Sequence, residues 1–366
     1  MSGKIALLSI IGLGVALTGP SANAGPISVY GAWHCGNDFC TWASVRNMTD
    51  FDTKNRWLID RGDGSHLPSV NLVVLSFVNP LKLLNLSNDS ANSQCVPIGM
   101  TPDIVNYFQS KNIRVMLSIG GITYVNDWNT ALATNPTQLG INAAYTAHRL
   151  GVGIEIDYEE SSNPNLIGLQ AFIDAYRSYV YSVDNSGTQY DSSGSNPSAR
   201  LTIDLAAGDR WLIGIARKAT ADWLNTTSPV LDYANAMVPN KQPSTSSAEA
   251  NWQEHVDGKP QYSPPILPLA PARFTGSVYL VTGRRPTAEC TTFSSSIENT
   301  TGSYVETVAP NGAGLTSGML GYMFWAAECQ GSRTICTTPP NDCQGGVGVG
   351  AKVYAIPIPM PALRQN

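Results

Sequence analysis

The sequence predicts an α/β fold, a (β/α)8 TIM barrel with long βα loops after strands six and seven. Three observations predict it. Apolar, β-rich runs recur eight times along the chain. Most of them are continuously apolar, as in strands covered on both faces. Helical patterns fall between several of the runs, and strand–helix alternation implies a parallel sheet. An open doubly wound sheet would read similarly, but eight strands within 366 residues suit a barrel with insertions.

In order, the chain opens on an address. Residues 1–24 carry Lys4, an apolar run from Ile5 to Leu17, and an Ala22-Asn23-Ala24 ending, the three-part pattern of a secretory signal peptide. The run is too short for the roughly 20 residues that span a bilayer. The strand candidates follow: Ile27–Trp33, Val70–Val78, Ile113–Ile119, Gly151–Tyr158, Leu201–Ala206, Leu231–Val238, Gly276–Val281 and Met319–Trp325. Thr101-Pro102-Asp103 opens one helix, with Thr at the cap, Pro at the first position and an acidic first turn. Asn163-Pro164 opens another, running through Phe172 to Val180. Asp184–Ser198, Pro239–Pro271 and Arg284–Gly318 read as loops, the second with a short helical piece around Ala248–His255. The last two follow strands six and seven, where barrel loops build sites. Residues 25–366 are thus expected to form one domain.

Composition narrows the function. Charged residues are 13% of the chain against 43% apolar, which excludes a mainly disordered protein. The net charge is −5 with no basic block, so no nucleic-acid partner is expected. Seven cysteines, at 35, 40, 95, 290, 329, 336 and 343, suit disulfides in an exported chain. Cys35 with Cys40, and a pair among the last three, are the local possibilities, and an odd count leaves one thiol over. The spacings lack the tight pairs and following histidines of zinc modules.

The fourth strand holds the strongest chemical signal. In Ile154-Glu155-Ile156-Asp157-Tyr158-Glu159, alternation puts Glu155, Asp157 and Glu159 on one face. Neighbours in that row are about 6.5–7 Å apart. With no Lys or Arg in the strand, three buried ionised acids would be expensive. Such a row persists where protons are shared and pKa values forced apart, as acid–base chemistry requires. An edge strand with one solvated face and a divalent-metal site are the alternatives.

These residues resemble a known family. Val152-Gly153-Ile154-Glu155-Ile156-Asp157-Tyr158-Glu159 is similar to the D-G-x-D-x-D-x-E signature of family 18 glycoside hydrolases, the chitinases and endo-β-N-acetylglucosaminidases. Ser118-Ile119-Gly120-Gly121 matches the family's S-x-G-G. Gly321-Tyr322-Met323-Phe324-Trp325 is like its eighth strand, and Tyr30 stands where it often has an aromatic. The resemblance implies that Glu159 is the general acid and that the substrate's own N-acetyl oxygen is the nucleophile. It implies that Asp157 bonds the acetamide and stabilises the oxazolinium intermediate, that Glu155 shares a proton with Asp157, and that Trp325 stacks under the sugar. No cofactor and no metal are implied. The implied partner is an N-acetylglucosamine-containing polysaccharide or oligosaccharide, bound by a monomer free of the membrane once the leader is cleaved.

The chain also departs from that pattern. Val152 replaces the first Asp and Glu155 the middle one. In the sixth strand Met237-Val238-Pro239-Asn240 stands where the family shows M-x-Y-D, so Pro239 brings no hydroxyl and Asn240 no charge. Tyr124, Tyr158 or Tyr233 are the candidates to supply a hydroxyl. Met237, Asn240 and Tyr158 are accordingly expected at the substrate, with Trp252 the best cleft candidate among Trp33, Trp211, Trp223 and Trp252. Asp204 either lines the barrel or is a satisfied buried acid. The expected activity is retaining endo-hydrolysis of β-1,4-linked N-acetylglucosamine. The alternatives are a weak or inactive sugar-binding barrel, an enzyme acting on N-glycans, and a metal-dependent hydrolase.

Overall fold

In the computed structural model of the chain, the described residues are 27–35, 56–61, 64–184, 200–227, 230–237, 245–279, 308, 318–325, 356–358 and 360. The expected leader, the Asn240 position, Cys40, Cys329, Cys336 and Cys343 of the expected disulfides, and most of the segment following the seventh strand lie outside them. Cys95 is a buried free thiol.

Eight strands form the barrel: β1 Val29–Cys35, β2 Leu72–Val78, β3 Arg114–Gly120, β4 Gly153–Asp157, β5 Leu201–Leu205, β6 Ala234–Ala236, β7 Phe274–Tyr279 and β8 Gly321–Trp325. Each pairs in parallel with the next, and β8 returns to β1 through Val29 opposite Gly321, closing the ring. Closure rules out both the open doubly wound sheet and the edge-strand reading of β4, which is paired on both sides. All eight strand candidates appear, β6 shortened to three residues.

The helices surround this ring: α1 Arg56–Ile59, α2 Pro80–Leu84, α3 Pro102–Ser110, α4 Val125–Thr134, α5 Pro136–Leu150, α6 Leu166–Asp184, α7 Ile213–Lys218 and α8 Thr245–Asp257. Thr101 occupies the N-cap of α3 as expected, though its side chain makes no capping bond. Pro102 at the first position supplies the preset φ instead. The α6 start moves from Asn163-Pro164 to Leu166, because the Asn165 side chain accepts the Gly168 N–H and so provides the cap. On α5 the Asn135 side chain caps through Gln138 N, and Gly151 ends the helix in the left-handed region.

Two apolar layers result. Outward residues such as Ala32, Val73, Leu117, Ile154, Ile156 and Phe324 pack against the helices. Inside, Val29, Leu72, Val74, Met116, Tyr233 and Met323 fill the lower barrel, where Met360 of the C-terminal segment joins them. That segment is tied down by Asn71 Nδ2 donating to the Pro357 carbonyl and Arg114 to the Met360 carbonyl.

Outside the barrel, α8 is clasped to the segment following β5. His255, 1% exposed, has Nδ1 3.0 Å from Asp209 Oδ1 and Nε2 2.8 Å from the Ala206 carbonyl. Both partners are acceptors, so the ring is best satisfied with a proton on each nitrogen. Burial alone pulls the imidazole down, but the Asp209 charge, the bonds to Asp209 and Ala206, and Glu254 together leave it raised above its ordinary value. A raised folded value contributes stability that is complete below about pH 6.5 and lost as pH climbs through the folded value. The thermal midpoint of wild type minus that of His255→Gln should therefore shrink between mildly acidic and mildly alkaline pH. A pH-independent difference would sink this reading.

Candidate active site

The carboxylate row lies at the mouth end of β4, and strand parity turns it into the barrel. Glu155 is fully buried and Asp157 is 2% exposed, whereas Glu159, just beyond the strand, is partly exposed. Around Glu155 strands from across the barrel place hydrogen-bond donors. Trp33 Nε1 of β1 donates to Glu155 Oε1 at 2.8 Å, and Asn235 Nδ2 of β6 donates to Oε2 at 2.6 Å. Thr275 of β7 donates to Asn235 Oδ1 at 2.7 Å and so orients the amide. Ser118 of β3 and Asp204 of β5 also bond Glu155.

This setting raises all four acids. Burial raises Glu155, opposed by the bonds from Trp33, Ser118, Asp204 and Asn235. Burial raises Asp157 well above the usual carboxylate range, and the charges of Glu159 and Glu155 add to it. Asp204 is raised likewise, by burial first and then by Glu155 and Asp157. Glu159 is pushed up to about 7 by burial, with the Ile122 backbone N–H holding it back. A carboxyl near 7 can deliver a proton at neutral pH.

The Ser118-Ile119-Gly120-Gly121 stretch builds the wall of this site. Gly120 has φ +117, and a side chain there would run into the Asp157 carbonyl and the Trp128 ring. With no side chain in the way, Trp128 Nε1 reaches the carbonyls of Ile119 and Asp157, each at 3.1 Å, and Gly121 N reaches the Asp157 carbonyl at 2.9 Å. The backbone carrying Asp157 is thereby fixed.

An aromatic group stands at the mouth. The partly exposed Trp325 ring stacks on Phe77 at 5.8 Å and 27°, and lies 6.3 Å from Trp33. Met237 is half-buried at the end of β6. Glu155, Asp157, Glu159, Trp325 and Met237 thus share one end of the barrel.

Three expected substrate contacts do not join them. Tyr30 is on the outer face of β1, edge-on to Phe324 at 4.9 Å and to Tyr322 at 6.3 Å. The inward residue of β1 near the acids is Trp33. Tyr158 also faces outward; it donates to Asn129 and accepts from Asn165 N at 3.0 Å, which pins the start of α6. Trp252 is fully buried between α8 and the barrel, beside Gly276 and Tyr322. Of the hydroxyl candidates, Tyr233 lies in the apolar floor and only Tyr124 is on a mouth loop. Trp223 is buried and donates to Gln170, while Trp211 is 40% exposed.

Asn235, Thr275 and Phe77 were not anticipated. A lone amide within Ala234-Asn235-Ala236 was a readable signal for the first, since an apolar strand keeps a polar side chain inside only for a bonding partner. Among the described residues, no group of three or more His, Cys, Asp and Glu is arranged to hold a metal ion.

No protein-family model matches the chain, and no curated protein matches it. Solved structures with a similar chain path include the class V chitinase from Nicotiana tobaccum, with 11% identity and TM-score 0.48 over 90% of this chain and 99% of that one. The group IV chitinase of Ostrinia furnacalis has 10% identity and TM-score 0.49, covering 90% of this chain and 100% of its own. The GH18 chitinase from Cycas revoluta in complex with (GlcNAc)3 has 11% identity and TM-score 0.49, covering 88% and 99%. At these values the functional reading rests on the site itself.

Proposed function

We propose that the protein is an exported retaining glycosidase that cleaves β-1,4-linked N-acetylglucosamine chains by substrate-assisted catalysis. One arrangement carries the reading: Glu159, pushed up to about 7 by burial, stands at the mouth two residues beyond Asp157, which is buried on the same strand face and raised well above the usual carboxylate range. Glu159 protonates the glycosidic oxygen. The substrate's acetamide oxygen attacks the anomeric carbon, and Asp157 bonds the acetamide N–H. Water then opens the oxazolinium with Glu159 acting as base. Trp325 offers a face to the sugar ring, and no cofactor takes part. Export rests on the pattern of residues 1–24; among the described residues no helix is long and apolar enough to cross a membrane.

The test is hydrolysis of fluorogenic N,N′-diacetylchitobioside and triacetylchitotrioside by the mature protein. Release of fluorophore with retained anomeric configuration supports the proposal. Absence of release there and on an N-glycoprotein, with sugar binding intact, favours the second reading, a sugar-binding barrel without turnover. Pro239 in place of a tyrosine, together with the outward turn of Tyr158, favours that reading.

An acid that must carry its proton sets the sign of the pH dependence. kcat/KM should hold level below the Glu159 value of about 7 and fall above it. The expected slope is about tenfold per pH unit. A fall already centred at about 4.3, the ordinary glutamate value, would remove Glu159 from the acid role.

A further inference from the structure

Asp204 lies outside the signature-like stretch of β4, yet it belongs to the same buried set. It is 2% exposed, sits on β5 opposite Asn235 in register, and bonds both Glu155 and the Asn235 amide. Its Oδ1 is fully buried with no donor on it, which leaves that oxygen satisfied only by carrying a proton of its own. The protons of this pair follow from the donors around them. Trp33 has only an N–H to offer, and it occupies Glu155 Oε1. Asn235 has its oxygen engaged by Thr275, so its NH2 faces Oε2. With donors on both oxygens, Glu155 is placed to be an acceptor, and its ionised form is the satisfied one. Two carboxyls bond each other only with a proton between them. Since Glu155 does not hold it, Asp204 does.

We propose that Asp204 is a proton-carrying positioning residue of this site, donating its carboxyl O–H to Glu155 and keeping Glu155 the ionised member of the buried acids. Its place in turnover rests on the glycosidase reading; its protonation does not. The consequence is that the charge facing Asp157 from below stays fixed on Glu155. The Asp157 carboxyl can then keep its own proton for the mouth. Without the Asp204 donor, Glu155 loses one of the bonds that hold it ionised and competes with Asp157 for that proton.

The experiment uses the full mature chain labelled with carbon-13 at the aspartate side-chain carboxyl. The Asp204 resonance is assigned by its loss in Asp204→Asn or in Asp204→Glu, so one folded variant suffices. It should keep the position of a protonated acid from about pH 5 to about pH 7, where an ordinary aspartate is ionised. Movement to the ionised position within that range overturns the proposal. A second arm reads turnover on the chitotrioside. Asparagine keeps a donor and no charge, so Asp204→Asn should stay near wild type while Asp204→Ala falls about ten- to a hundredfold, the loss of one bond to a buried charge. Equal losses in the two variants would make Asp204 a packing residue and overturn the role. If wild type shows no turnover, the glycosidase reading fails, and the carboxyl resonance still decides whether Asp204 holds the proton.

Discussion

Replacing Glu159 with glutamine is expected to lower turnover of chitooligosaccharides by about 10²–10⁴-fold, the contribution typical of a positioned general acid. Glutamine has the shape of the protonated acid and can still accept the Ile122 backbone N–H that Glu159 accepts. It cannot give up a proton to a leaving oxygen. The substitution therefore separates chemistry from binding. Sugar affinity, set by surfaces such as the Trp325 face, should change little, and the loss should fall on kcat. Titration of oligosaccharide against tryptophan fluorescence checks the first point and initial rates check the second. Glutamine also removes a burial-raised carboxyl, so the alkaline limb near pH 7 should leave the residual activity. Turnover within a few-fold of wild type would mean that another group supplies the proton, and the assignment of the whole row would fall with it.

The barrel was legible because its strands are wrapped on both sides. Ile113–Ile119 and Leu201–Ala206 announce themselves as unbroken apolar runs, and β3 and β5 lie within a residue or two of them. The same property hides orientation. In β1, Tyr30 and Trp33 are both buried and both aromatic, so nothing local says that Trp33 is the one facing Glu155. β4 is different, since its acids mark one face; the parity that gathers Glu155 and Asp157 also sends Tyr158 outward. That position was readable, and Tyr158 remained a candidate only because a hydroxyl was needed to replace the missing tyrosine of β6. Asp204 and the lone amide of Asn235 stand out in the sequence, but their partnership with Glu155 does not, for another reason. Their meaning depends on β5 standing beside β4 and β6 beside β5 in register, which is a property of closure and not of either segment.

Trp252→Ala is expected to destabilise the fold by about 3–5 kcal/mol, as truncation of a buried tryptophan does, while turnover at temperatures where the variant stays folded remains close to wild type. A cleft residue would behave the opposite way, leaving stability intact and weakening the sugar's hold. The packing role follows from the neighbours. Trp252 is fully buried on α8, its ring fills the space above Gly276 of β7, and Tyr322 of β8 lies 5.9 Å away at 59°. A methyl group added at Gly276 would come within 2.8 Å of Trp252 Cδ2, inside van der Waals contact. Gly276→Ala alone should therefore destabilise by about 1–3 kcal/mol through overpacking. In the Trp252→Ala background that methyl enters vacated space and its cost should shrink, a coupling of about 0.5–3 kcal/mol for residues in contact. Chemical denaturation of the two single variants and the double variant measures it. Additive losses would place the ring away from Gly276 and reopen the cleft for Trp252. Coupled losses would mean that α8 is held on the barrel by the tryptophan ring, with His255 three residues on completing the clasp, so that the wall beside β6 and β7 depends on a residue that never meets the sugar.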